Sequence, residues 1–136
     1  LLIRDEFIQF SIDISINTIN DIHLEAIENE FQHLIINILN NAKEAFNDKN
    51  IKNRQITINI FNKEKINKIE IIDNAGGISE DFITDIFKAN YTTKKEGSGV
   101  GLYMSKLIAD KSGGVLKAGN INDGAIFTFE KLQEIE

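Results

Sequence analysis

Asn37 and Asn41 stand four residues apart in a segment whose Phe31, Leu34, Ile35, Ile38 and Leu39 recur at helical spacing. An i, i+4 pair shares one helix face, so two side-chain amides are stacked where core or solvent-facing residues would be expected. Amide oxygens placed in this way can ligate a hard cation. Asn is over-used throughout the chain, so a lone Asn would carry no argument, but mid-helix Asn is disfavoured relative to Ala and two at this spacing need a reason. Two glycine-rich turns of different design follow. Asp73-Asn74-Ala75-Gly76-Gly77-Ile78 closes an apolar run with a carboxylate, a turn that the local sequence requires with or without a ligand. Gly97-Ser98-Gly99-Val100-Gly101-Leu102 leads into a helix and supplies unencumbered amides beside a positive helix end, a combination that binds phosphate. It is not a Walker A loop, because no Gly-Lys-Ser/Thr follows. Nor is it a dinucleotide fingerprint, since Leu102 takes the third glycine site and residues 92–96 form no buried strand. Amide helix, acidic turn and glycine lid, in that order, read as a site for a metal-bound nucleotide.

The elements that must position these groups follow from periodicity. Phe10, Ile12, Ile14 and Ile16 alternate with Ser11, Asp13 and Ser15, a half-buried strand, and residues 22–26 repeat the pattern briefly. From Glu28 the period becomes helical, with Phe31, Leu34, Ile35, Ile38, Leu39, Ala42 and Phe46 on one stripe running to about Asp48. Residues 56–61 and 66–72 read as strands joined by 62–65, most simply a hairpin. Ser79 suits the N-cap of a short helix over 80–87, with Glu80 and Asp81 at its positive start. A polar stretch, 88–98, comes next. Gly99 or Gly101 opens a third helix through Lys111, and residues 115–118 and 125–130 make a closing pair of strands. Helices grouped among antiparallel strands indicate an α+β fold, helices packed on one face of a mixed sheet.

With 136 residues, 42% of them hydrophobic and 26% charged, the chain is expected to form one domain with a single core, residues 1–9 being the remnant of a connection to a missing domain. The net charge of -6, with 15 Lys and Arg dispersed among 21 acids, argues against a nucleic-acid partner. A polyanionic ligand must then be bound locally, by backbone amides and a metal. There is no Cys, hence neither disulfide nor thiolate metal site. No apolar run approaches the roughly 20 residues of a membrane span, so no direct membrane contact is expected. The chain begins with Leu, not Met, and is read as an excised piece of a longer protein, a cytoplasmic domain whose parent could be membrane-anchored.

Asn37-Ile38-Leu39-Asn40-Asn41-Ala42, Asp73 to Ile78, Ile86-Phe87-Lys88-Ala89-Asn90-Tyr91-Thr92-Thr93-Lys94 and Gly97 to Leu102 together resemble the N, G1, F and G2 boxes of sensor histidine kinases, specifically of their catalytic, ATP-binding domain. That domain belongs to the superfamily shared with gyrase, the Hsp90 chaperone and MutL. The resemblance spans residues 10–131 and includes Ser112-Gly113-Gly114 and Gly124-Ala125-Ile126-Phe127-Thr128. It implies a two-layer α/β sandwich with ATP between the helical layer and a flexible lid.

It also implies roles. Asn41 would ligate Mg²⁺, the triphosphate and waters completing the shell, and Asn37 would hold a water or phosphate oxygen. Asp73 would accept from the adenine exocyclic amine, with Ala75, Gly77 and Ile78 bringing backbone close to the base. Ala75 replaces a more usual Gly and is cheap only if its φ is negative. Phe87 and Tyr91 would anchor the lid, Thr93 and Lys94 would face the nucleotide with Lys94 near the γ-phosphate, and Gly97, Ser98, Gly99, Val100, Gly101 and Leu102 would form the phosphate loop. The implied enzyme is a protein-histidine kinase catalytic domain that passes the γ-phosphate of Mg-ATP to a histidine on a dimerisation domain of the same parent, and through it to a response regulator. A Glu that serves as base stands at position 37 in the superfamily's ATP hydrolases, and an amide cannot take that proton, so a hydrolase is disfavoured. A non-catalytic nucleotide-binding module is the other alternative. Glu44, one turn beyond Asn41 where many histidine kinases carry Lys, is read as part of a solvated helix face. Neither His23, in a strand pattern, nor His33, within the first long helix, has the following acid and helical-hairpin context of a phosphoacceptor.

Overall fold

The computed structural model describes residues 2–88 and 101–134. The elements are α1 (Leu2–Gln9), β1 (Ile12–Thr18), α2 (Glu28–Asp48), β2 (Arg54–Lys63), β3 (Ile66–Asp73), α3 (Gly101–Lys111), β4 (Val115–Ile121) and β5 (Gly124–Leu132). Five strands form one sheet in the order β1-β2-β3-β5-β4, antiparallel throughout except that β1 runs parallel to β2. Alternate residues of each strand turn to one face. Ile56, Ile58, Ile69, Ile71, Leu116, Phe127 and Phe129 join Leu34, Ile38, Leu39, Ala42, Phe46, Ile108 and Ala109 of the helices in one core. Each Ile, Leu or Phe among them contributes about 1.5–3 kcal/mol when fully buried, relative to exposure. The mixed sheet with its helices is the expected α+β architecture.

The stripe on α2 explains its length. Leu34, Ile38, Leu39, Ala42 and Phe46 are buried, and Glu28 and Glu30 sit at the positive start, although Ile27 at the N-cap offers no side-chain bond. α3 lies against α2, and the hydroxyl of its buried Ser105 donates to Leu34 O at 3.2 Å. Beyond α2 the guanidinium of Arg54 donates to Ile51 O, Phe10 O and Asn47 Oδ1, fastening the start of β2 to the α2 exit and the end of α1.

Four local expectations are corrected. The first strand begins at Ile12, not Phe10, because α1 precedes it and the chain reverses at Ser11, whose φ is 60°. Residues 22–26 are not a strand: Ile22 and Leu24 are half-buried against the core, but their neighbours' carbonyls bind side chains, His23 O accepting from Asn67 and Glu25 O from Lys131. Residues 80–87 are not an α-helix. They form successive i, i+3 turns, with Phe82 N donating to Ser79 O, Asp85 N to Phe82 O and Lys88 N to Asp85 O. The segment is short and rich in Phe, Ile, Thr and Asp, too weak in helix propensity to nucleate. The β2–β3 turn is tighter than expected, only Glu64 and Lys65, both at positive φ, because strand pairing extends to Lys63 and Ile66.

Candidate functional site

Asn37 and Asn41 lie on α2 as the period predicts, both partly buried. Asn41 has a polar partner. Asn37 Nδ2 is buried without a hydrogen bond among the described residues, as is Oδ1 of Asn40. A buried unpaired amide costs about 1–3 kcal/mol, so an incoming acceptor would relieve it. A neighbour of this side chain is the first residue of α3: a Cβ added to Gly101 would lie 3.9 Å from Asn37 Cβ, Cγ and Oδ1, ordinary contact distance. The first described turn of α3 is thereby placed beside the amide face of α2, where the positive end of a helix dipole favours an anion. Leu102 packs on the core and fixes that start.

Asp73 ends β3 and is only 7% exposed. Its Oδ1 accepts from Ala75 N at 3.0 Å and from Ala125 N at 3.2 Å, while its second oxygen has no hydrogen-bond partner among the described residues. No ion pair neutralises it among those residues either. Two amides aim the carboxylate and leave one oxygen to receive a donor. The turn then makes its reversal at Gly76 and Gly77, at φ 90° and 79°, values that a side chain would strain, whereas Ala75 stays out of that region and is buried without penalty. Ile78 is half-buried against the core.

Phe87 meets Phe127 edge to face with centroids 6.2 Å apart, so the end of the described F-box segment is moored on the sheet. Tyr91, Thr93, Lys94, Gly97, Ser98, Gly99 and Val100 lie outside the described residues. His23 and His33 are both exposed.

The residues that hold the acidic turn were not apparent from the sequence. Asn74 accepts from Gln55 N and donates to Asn53 O, tying the turn to β2. Lys49, just past α2, donates to Gly77 O at 2.8 Å. Gly76 N donates to Asp123 O, and Asn120 bonds both backbone groups of Ile78. Apart from the turn dipeptide Asn122-Asp123, which marks a hairpin, no local pattern announces them, since their partners are tens of residues away.

These residues suit a Mg-nucleotide. An orphaned buried amide and a helix start suit phosphate, an aimed carboxylate oxygen suits an amino group, and amide oxygens with phosphate and water suit the octahedral, oxygen-only preference of Mg²⁺.

Residues 26–135 match the family model described as histidine kinase-, DNA gyrase B-, and HSP90-like ATPase. Sensor protein KdpD of Clostridium acetobutylicum is 35% identical over 111 residues, covering 76% of this chain and 12% of that protein. Sensor histidine kinase TmoS of Ectopseudomonas mendocina is 37% identical over 111 residues, covering 77% of this chain and 11% of that protein. The chain therefore spans only a small fraction of the length of these relatives. Among solved structures, the catalytic domain of histidine kinase ThkA superposes with a TM-score of 0.83 at 25% identity, covering 97% of this chain and 86% of that one.

Proposed function

The chain belongs to the histidine kinase-, DNA gyrase B- and HSP90-like ATPase family, and we propose that it binds Mg-ATP and donates the γ-phosphate to a histidine on a separate phosphoacceptor domain. The observation that carries this is the Asp73 carboxylate, buried and held through one oxygen by the amides of Ala75 and Ala125. Its other oxygen accepts from the exocyclic amine of adenine; guanine, which presents a carbonyl there, is repelled. The triphosphate runs along the amide face of α2 to the start of α3, where Asn37 donates to a phosphate oxygen or a water. Asn41 would hold Mg²⁺ through its side-chain oxygen, and the bound ion would supply charge neutralisation at the phosphates. No base is needed on this chain for the transfer itself. Phosphoryl transfer depends mainly on positioning and charge neutralisation, so the nucleophile can reside on another domain: its imidazole nitrogen forms the N–P bond as the bond from the γ-phosphorus to the bridging oxygen breaks and ADP departs.

On this reading the partners are a dimerisation domain in the same parent and, through it, a response regulator. A solved complex of histidine kinase ThkA with response regulator protein TrrA, which this chain resembles at 26% identity and a TM-score of 0.78, supports that assembly. No helix among the described residues is long and apolar enough to cross a membrane.

Calorimetric titration tests the base site. Asp73→Ala removes a hydrogen bond to a charged group worth about 1.5–3 kcal/mol, so ATP and ADP binding should weaken in parallel by about 10- to 150-fold. A variant that binds ADP as tightly as the parent would sink the assignment.

A further inference from the structure

Asn120, in β4, is exposed and contributes nothing to the core. Yet both ends of its amide are committed to the backbone of a single residue: Oδ1 accepts from Ile78 N at 2.7 Å and Nδ2 donates to Ile78 O at 2.7 Å. The side chain imitates a neighbouring strand, and a two-point bond of this kind sets orientation as well as distance. Gly77 is matched to it, since a Cβ there would lie 2.9 Å from Asn120 Oδ1. Three residues further on, Asp123 O accepts from Gly76 N, and Ala125 N donates to Asp73 Oδ1. One hairpin end, residues 120–125, therefore fixes the recognition carboxylate at the start of the turn and the backbone wall at its finish.

We infer that Asn120 is a positioning residue for base recognition, holding Gly77 and Ile78 at the distance and tilt from Asp73 that admit an adenine ring. This rests on the reading of residues 73–78 as the base site. Without the amide, Ile78 loses both of its bonds to β4 and the Gly77–Ile78 peptide is held, among the described residues, only by the exposed Lys49 bond to Gly77 O, while Asp73 keeps both of its amide donors. The loss is in fit to the base, not in the core and not in the phosphate end, which α2 and α3 supply.

The test is calorimetric titration of the chain and of Asn120→Ala with ADP, GDP and Mg-tripolyphosphate, at a temperature where circular dichroism shows each protein folded. Loss of two neutral hydrogen bonds should weaken ADP about tenfold and narrow the ADP-to-GDP ratio, with tripolyphosphate changed by less than about twofold. Asn120→Asp keeps the acceptor for Ile78 N and loses the donor for Ile78 O, so it should fall between the two, and it carries the test if Asn120→Ala does not fold. In an Asp73→Ala background the Asn120→Ala change should cost ADP binding little more, because both act on the same ring. Unchanged ADP affinity in both Asn120 variants, equal weakening of ADP and tripolyphosphate, or strict additivity with Asp73→Ala would overturn the inference. A parent that binds tripolyphosphate but does not prefer ADP to GDP would overturn the base-site reading itself, and the inference with it.

Discussion

The hydroxyl of Ser105 donates to the backbone carbonyl of Leu34 at 3.2 Å, in a position with no solvent exposure. Leu34 lies one turn before Asn37, and Ser105 lies one turn after Gly101, so this bond joins the helix bearing the amide pair to the helix whose start faces it. The spacing of the proposed phosphate end is set in the core beneath it.

Ser105→Ala should accordingly cost about 1 kcal/mol and lower the unfolding midpoint by about 3–5 °C, the usual value of a neutral hydrogen bond in a chain of this size. Ser105→Val keeps no donor and adds methyl groups where there is no room, so it should cost more, about 1–3 kcal/mol beyond the lost bond. Thermal melts by circular dichroism check the order. An Ala variant as stable as the parent would remove the bond from the account.

Gly124 is required for a different reason. A Cβ there would lie 1.6 Å from the carbonyl oxygen of Asp73, a backbone atom that cannot give way without moving the end of β3. Gly124→Ala should destabilise the fold by on the order of 4 kcal/mol or more, the range reached when backbone is forced apart. Denaturant titration measures it, and a loss under about 1 kcal/mol would show that the β3–β5 approach is looser than this.

The sequence made some of this legible and not the rest, for identifiable reasons. The α2 stripe repeats over many turns, so its limits, Glu28 and Asp48, could be read from the pattern. The same alternation at Ile22 and Leu24 misled, because burial alternates there without a ladder partner. The parallel pairing of β1 with β2 has no local signal at all; it needs the crossover through α2. Asp73 stood out as a carboxylate before glycines, but Asn120, which meets that turn from a different hairpin, looked like one more Asn in an Asn-rich chain. Chemistry-bearing residues were visible. The groups that hold them still were not, because they act through contacts distant in sequence.

Asn41 is proposed to act on the metal and not on the base. Asn41→Ala should therefore abolish the enhancement of ATP affinity by Mg²⁺ while leaving metal-free binding of adenine nucleotide largely intact. Titrations with and without Mg²⁺, in parent and variant, separate the two contributions. Equal enhancement in both proteins would take Asn41 out of the coordination shell.

Asn37 has an amide where related hydrolases carry a basic carboxylate, and its nitrogen is a donor unpaired among the described residues, suited to holding a phosphate oxygen and unable to take a proton from water. His23 and His33 are exposed on a loop and on α2, without phosphoacceptor context. The chain alone should therefore bind ATP, hydrolyse it no faster than background, and acquire no label of its own. Adding a cognate dimerisation domain supplies the nucleophile and any base that assists it, so transfer should appear only then. Incubation with γ-labelled ATP, with and without that domain, reads both halves of the expectation. Rapid phosphate release by the chain alone, or acid-labile label on His23 or His33, would instead mark a self-contained ATPase or kinase and overturn the division of labour between this domain and its partner.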